Sequence, residues 1–398
     1  MVSGLRVACV LGTASGGTAR HAGMLAAGCR RDGLAVTALG PASSRDAFAA
    51  GAAALSREAS ATGDQRAAGD SGPRDGIAFQ VVEISDRPRP GRDVAAVRRL
   101  RRLLGEISPD VVHAHGLRAG AFAALALLPS RRARRPALVV TIHNGPPRGQ
   151  VARIVYAVLA TTCARRADAV LCASADLAAR MRRLGAASAA EFDVPAAAPP
   201  PPSAGEVARA RADIGAAGRP VILAAGRLAG QKGLDTLLAA ATRWQRREPV
   251  PRLVIAGEGP LAAELTATAS RTGVDLVLLG QRDDVPALLA VTDIVVVPSR
   301  WEARALIVQE SMRAGRPIVA SRVGGIPDLT GADAAILVEP GDAGQLAAAV
   351  LAVLDDRELA TSLSVSARAR ARTLPTLADA VTAVVALYKE LAAGQRAR

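Results

Sequence analysis

Lysine is nearly missing from this chain. Two lysines, Lys232 and Lys389, stand against 48 arginines, so a compact ammonium is kept for places where a planar guanidinium does not serve. Aromatic residues make up 2%. That leaves too few rings for the base-stacking surfaces of single-strand binders, and a core of Ala, Val and Leu is expected. Four cysteines, Cys9, Cys29, Cys163 and Cys172, are scattered without metal-ligand spacing. They read as buried thiols in a reducing compartment rather than as a metal site. No stretch approaches the ~18 apolar residues of a membrane span. The opening MVSGLRVACVLGTASGG ends in a Gly-rich loop and reads as a first strand, not a signal peptide. A cytoplasmic protein with neither resident metal nor cofactor is expected.

Positive charge, in contrast, is plentiful and lopsided. Of the net +14, residues 1–198 carry 27 Arg against 15 acidic residues, and residues 199–398 carry 23 basic against 21 acidic. Such a field attracts anionic partners. Lipid surfaces and phosphorylated acceptors fit it. Nucleic acid is not expected, because no nucleic-acid motif accompanies the charge. The segment Val97–Leu104, VRRLRRLL, sets leucines at helical spacing beside four arginines. It reads as a short basic amphipathic helix suited to an anionic membrane surface, where each basic residue is worth about 1 kcal/mol. Arg131, Arg132, Arg134 and Arg135 form a second basic run.

Strand-like apolar runs alternate with helix-like segments throughout, the pattern of parallel sheets in an α/β fold. In the first half the strands read Arg6–Leu11, Leu34–Leu39, Phe79–Ile84, Asp110–His113, Ala137–Ile142 and Ala169–Cys172. Residues 41–76 read as a helix followed by a mobile loop, with no regular structure over Thr62–Gly76. PAAAPPPP at 195–202 breaks any helix or central strand. After it the pattern restarts at Val221–Ala225, Arg252–Ala256, Val274–Leu279, Ile294–Val297, Ile318–Ala320 and Ala335–Val338. Two Rossmann-like domains follow: residues 1–194, a Pro-rich linker at 195–204, residues 205–374, and a closing helix within 375–398.

Residues 293–328 are the most informative. Glu302 and Glu310, seven residues between them, follow an apolar run ending in Pro298 and precede a helix pattern, a strand and Gly324-Gly325. Strand, loop, helix, strand and glycine turn describe the carboxyl rim of a parallel sheet, where such folds bind ligands. Two carboxylates at two depths suit a ligand with several hydroxyls. A second element, Gly226-Arg227-Leu228-Ala229-Gly230-Gln231-Lys232-Gly233, lies between a strand and a helix. Lys232, the Arg227 fork and the amides of a helix N-terminus are all suited to phosphate. A third, Leu11–His21 with Gly12, Gly16 and Gly17, is a Gly-rich strand-to-helix turn without the lysine of a Walker loop. All four histidines, His21, His113, His115 and His143, fall in the first half. His113 reads as a core histidine bonded to backbone, and His115 as the better functional candidate.

Together these segments resemble the retaining family-4 glycosyltransferases of GT-B fold. The resemblance covers about residues 6–393 and is strongest over 221–340. It implies two Rossmann-like domains with parallel sheets facing a central cleft, and a last helix that crosses back to the first domain. It also implies transfer of a sugar from a UDP- or GDP-sugar to an acceptor hydroxyl, without metal; no Asp-x-Asp of the metal-dependent class occurs. On that resemblance Arg227 and Lys232 hold the diphosphate, Glu302 the sugar, Glu310 the ribose, and His115 lies beside the sugar. Gly16, Gly17, Arg282, Arg304, Ala305 and Leu306 also border the donor. The acceptor is expected on the first domain, lipid-linked or part of a cell-envelope glycan, with the protein peripheral on the inner face of the plasma membrane. The chain departs from the family at Ala303-Arg304-Ala305, where Gly-Phe-Gly is usual. A sugar-nucleotide isomerase, a phosphorylase on the same fold, or a non-catalytic nucleotide-sugar-binding relative stay open as alternatives.

Overall fold

A computed structural model describes residues 4–13, 17–61, 76–128, 135–147, 149–196 and 200–396. The chain divides into two compact units. One comprises residues 1–197 with 375–398, and the other residues 198–374. The glycine Gly16, the arginines Arg131, Arg132 and Arg134, and residues 62–75 of the expected loop lie outside the described residues.

The first unit contains seven strands: β1 (Arg6–Leu11), β2 (Ala35–Gly40), β3 (Ala78–Val81), β4 (Val111–His115), β5 (Ala137–Ile142), β6 (Ala169–Cys172) and β7 (Ala189–Glu191). Its helices are α1 (Gly17–Arg31), α2 (Arg45–Ala61), α3 (Pro90–Ile107), α4 (Leu117–Ala126), α5 (Gln150–Arg166) and α6 (Ala175–Arg183). The strands pair in parallel in the order β3-β2-β1-β4-β5-β6-β7. The direction of winding therefore reverses between β1 and β4, and ligands collect at the carboxyl ends of such a switch point.

The second unit repeats the plan. Its strands are β8 (Val221–Ala225), β9 (Arg252–Ala256), β10 (Leu276–Leu278), β11 (Ile294–Val297), β12 (Ile318–Ser321) and β13 (Ile336–Val338). They lie parallel in the order β10-β9-β8-β11-β12-β13, with the switch point between β8 and β11. The helices are α7 (Ala204–Ile214), α8 (Leu234–Trp244), α9 (Ala262–Thr272), α10 (Val285–Ala290), α11 (Leu306–Ala314), α12 (Ile326–Thr330), α13 (Ala343–Asp355) and α14 (Arg357–Thr373). Ser203 and Glu206 form a reciprocal capping box that starts α7, which satisfies two otherwise orphaned amides.

The last helix, α15 (Leu377–Arg396), belongs to the first unit and packs on α1, β4 and β5. Leu377, Val381, Val384, Val385 and Tyr388 enter the same core as Val7, Cys9 and Leu25. Full burial of such aliphatic side chains contributes roughly 1.5–3 kcal/mol each. The close approach depends on Gly28, where an added Cβ would stand 2.3 Å from a Val381 methyl. All four cysteines are buried free thiols in this unit. Burial pushes the thiols up, to about 12 for Cys29, Cys163 and Cys172, so they stay protonated.

Three expectations change. The strand expected to stop at His113 continues as β4 through His115, so both histidines lie within it. A seventh strand, β7, adds an edge of only three residues, too short to leave an alternating pattern. The helix containing VRRLRRLL is real, but it turns its apolar side inward. Leu100, Leu103 and Leu104 are buried where α3 packs on α4 and β1, and Arg101 donates to the Leu125 and Ala126 carbonyls at the end of α4. That helix has no apolar stripe left for a bilayer.

Candidate active site

In the second unit two loops meet at the carboxyl ends of β8 and β11. The loop after β8 makes a single 3-10 turn, Gly230–Lys232, which ends by presenting Lys232. The loop after β11 presents Ser299 and Glu302. The Lys232 ammonium lies 2.5 Å from Glu302 Oε1, and the same oxygen accepts from the Ser299 hydroxyl at 2.7 Å. Ser299 is fully buried and Glu302 is 6% exposed. A carboxylate this dry needs a cation and a hydrogen bond to remain charged at modest cost.

The two loops are tied together beside this pair. Arg300 donates its amide to Gln231 at 2.8 Å and its guanidinium to the Gly230 carbonyl at 2.7 Å, and it also pairs with Asp235. Gln231 Nε2 reaches the Trp301 carbonyl at 2.8 Å. Gly230 and Gln231 of the 3-10 turn are thus anchored, which holds Lys232 in place. Behind Glu302, the turn after β12 touches its backbone. Gly324 has φ +51, and a Cβ there would fall 1.7 Å from the Glu302 carbonyl; only glycine permits the contact. The Gly325 amide donates to that same carbonyl at 3.1 Å. A shallow open hollow lies here, lined among others by Gly226, Lys232, Pro298 and Ser299.

The remaining residues of the motif fall around this pair with different postures. Arg227 is exposed on the loop after β8. Ala303 and Ala305 are buried, and Ala305 belongs to the unit's core. What Ala305 and Leu306 offer a ligand is therefore backbone, at the uncapped start of α11, where amides and the helix dipole favour an anion. Arg304 and Glu310 are partly exposed, Glu310 in the second turn of α11. Arg282 has its side chain engaged within the unit. Its guanidinium bonds Asp213 at 2.7 Å and both Asp284 oxygens at 2.6 and 2.7 Å, which raises its pKa. The side chain thus ties α7 to the turn before α10.

The first unit gathers its histidines at the ends of β4 and β5. His115, the last residue of β4, registers with Leu11, the last of β1. Its ring stacks on His113 at 4.3 Å and on His143 at 5.9 Å. His21 of α1 meets His115 and His143 edge-on, at 6.3 and 5.6 Å. His113 is a core residue, as expected, but its partners are hydroxyls rather than backbone: Tyr388 at 2.5 Å on Nδ1 and Thr141 at 2.6 Å on Nε2. Burial keeps all four rings neutral. It lowers His113 to about 3 and His143 to about 4, and places His21 and His115 well below the usual range. Gly17 begins α1. Among the described residues no group of three or more His, Cys, Asp or Glu is arranged to hold a metal ion.

Sequence reasoning had no place for Ser299, Thr141 or Tyr388. Ser299 stands three residues before Glu302 at a strand end, a spacing that a search for partners of the carboxylate could have used. Tyr388 is one of only two tyrosines, yet nothing local links it to a histidine 275 residues away.

Comparisons with known proteins place the chain in a family and a fold. The model for glycosyl transferases group 1 matches residues 219–356, and the model for glycosyltransferase family 4 matches residues 15–191. The glycogen synthase of Mycobacterium tuberculosis is 31% identical over 321 residues, 76% of this chain and 74% of that one. The chain belongs to the group 1, family 4 glycosyltransferases. The alpha-D-kanosaminyltransferase of Streptomyces kanamyceticus is 30% identical over 178 residues, 44% of this chain and about half, 46%, of that relative. Among solved structures, Anabaena Alr3699/HepE in complex with UDP and glucose superposes with a TM-score of 0.75 at 19% identity, covering 97% of this chain and all of that one. The GT-B fold read from the sequence is thereby shown.

Proposed function

We propose that the protein is a retaining glycosyltransferase that moves a hexose-type sugar from a UDP- or GDP-sugar to an acceptor hydroxyl without a metal ion. The observation that carries this reading is the Lys232–Glu302 pair at the second sheet's switch point. The ion pair is neutral as a whole, so an arriving diphosphate can take the ammonium while sugar hydroxyls take the carboxylate. Lys232 and Arg227, with the amides that open α11, would then stabilise the charge that develops on the departing diphosphate. Fixed donors aimed at such charge are worth roughly 10²–10³ in rate apiece. That UDP and glucose occupy the Anabaena structure supports a nucleotide-sugar donor.

In this reading Glu310 holds the ribose, and the turn at Arg282 meets the base through its backbone. His115, kept neutral, offers a hydrogen bond to the sugar near its reacting carbon. The bond from that carbon to phosphate oxygen breaks as the bond to acceptor oxygen forms on the same face. The acceptor proton passes to the departing phosphate oxygen, so no protein nucleophile is needed. The acceptor is taken by the first unit, whose positive charge favours a lipid-linked or phosphorylated cell-envelope glycan at the inner face of the plasma membrane. No helix among the described residues is long and apolar enough to cross a membrane.

Calorimetric titration of UDP and of GDP in EDTA, into the protein and Lys232→Ala, tests the donor site. Micromolar binding of one nucleotide that disappears in the variant is expected. Equal binding by both proteins would overturn the assignment.

A further inference from the structure

We propose that the outer face of α5 is the surface on which this protein sits on an anionic lipid bilayer. The inference rests on the membrane part of the reading above and names its contact surface. Helix α5 is built inside out for a surface helix. Its inward side is Tyr156, Ala160, Cys163 and Ala164, all buried. Opposite them Val151, Ile154 and Val158 stand 76%, 59% and 60% exposed. Their spacing of three and four residues places them on one stripe, and Arg165 and Arg166 follow at the helix end. Helix α4, which packs beside α5, leads into Leu125 and Leu128, 40% and 46% exposed. Five of the seven large hydrophobic side chains exposed among the described residues therefore lie on or just past these two neighbouring helices. Clustered exposure of this kind marks an interaction surface.

Charge decides the occupant. From Val111 to Ala167 the chain contains nine arginines and not one Asp or Glu. A second copy of the same surface would bring like charge against like charge, which disfavours self-association. An anionic bilayer supplies the opposite sign and an apolar interior together. Valine and isoleucine enter the acyl boundary while arginines remain at the headgroups. Helix α3 has the charges without the exposed stripe, so it contributes to the field and not to the anchor.

Vesicle sedimentation of the full chain tests this, with phosphatidylcholine vesicles with and without phosphatidylglycerol. The wild type should sediment with the anionic vesicles and little with the neutral ones. The triple variant Val151→Glu/Ile154→Glu/Val158→Glu should partition about tenfold less or weaker still, with its melting temperature unchanged because the sites are exposed. Ile154→Ser alone should show a smaller loss in the same direction. Wild-type sedimentation equalled by both variants would overturn the α5 assignment while leaving membrane binding in place. A wild type indifferent to anionic lipid would overturn both. A dimer in gel filtration that the triple variant dissociates would assign the stripe to a second copy and overturn the proposal. UDP and GDP binding measured on the same preparations reads the transfer function separately: absence of both with docking intact would strike only the donor reading.

Discussion

The two sheets share one winding and equip the same edge in opposite ways. At the β8–β11 switch point the ends carry charge, a lysine and a glutamate in contact with a serine hydroxyl on the same oxygen. At the β1–β4 switch point the end of β4 carries stacked imidazoles that burial holds neutral. All four histidines are in the first unit and none in the second. The difference teaches what each edge can bind. A fixed ammonium near helix amides meets phosphate, whereas neutral rings in a dry setting offer hydrogen bonds without attracting charge. Topology supplies two equivalent positions, and side-chain chemistry makes them complementary.

The sharpest way to break the comparison is to remove charge from the second edge. Lys232→Ala should lower the transfer rate roughly 10²–10³-fold and abolish nucleotide binding, since Glu302 is then left as a buried carboxylate without its cation. Lys389→Ala, which deletes the chain's other lysine at an exposed site on α15, should leave rate and affinity as they are. Steady-state kinetics on both variants checks this. Equal losses would mean that net charge, and not position, matters.

Acid should separate the two units next. The buried histidines have folded pKa values below the ordinary ~6.5 of the unfolded chain, so the unfolded state takes up protons first as the pH falls. Their contribution is complete above about pH 6.5 and is lost on acidification toward pH 3–4. With His113 at about 3, the loss at pH 5 is about 2 kcal/mol from that residue alone. The second unit has no histidine, and its lowered carboxylates Asp235, Asp275 and Asp284 lose stability only below about pH 4. Hydrogen exchange at pH 5 against pH 7, corrected for intrinsic rates, should show the first unit losing protection while the second keeps it. Parallel losses in both would remove the histidines as the cause.

A smaller change tests whether the first edge depends on α15. Tyr388→Phe keeps the ring and removes the hydroxyl on His113 Nδ1, 2.5 Å away. One buried nitrogen then lacks a partner, at about 1–3 kcal/mol. Thermal unfolding should register that loss, and nucleotide affinity, assigned by the proposal to the other unit, should not move. A fall in nucleotide affinity would show that the two edges are not independent.

What could be read in advance follows the range of the interaction. A succession of strands and helices needs only local apolar patterning, so the α/β class was legible, and the motifs between residues 221 and 340 made the family legible too. Ala303 and Ala305 were legible as positions and not as postures, because burial of their methyls depends on α11 and the core beneath it. Arg282 was read by its place after a strand. Its guanidinium is held by Asp213, 69 residues earlier, a contact no local pattern reports. The apolar stripe of VRRLRRLL was visible as a period, but periodicity cannot say whether a bilayer or the protein's own sheet covers it.

The finest comparison lies within the charged edge, between the two donors on one Glu302 oxygen. Ser299 and Lys232 both reach Oε1, at 2.7 and 2.5 Å, but only Lys232 brings charge. Ser299→Ala leaves the ion pair intact and removes a buried neutral donor, at about 1 kcal/mol. Affinity for the bound nucleotide, UDP or GDP, should therefore fall about fivefold, because the carboxylate loses the anchor that fixes its direction, and the melting temperature should shift by only a few degrees. Calorimetry on Ser299→Ala beside Lys232→Ala sets the scale. A loss as large as that of Lys232→Ala would make the serine a partner in charge placement. An unchanged affinity would mean that the ammonium alone orients Glu302, with the hydroxyl serving only to fill the site.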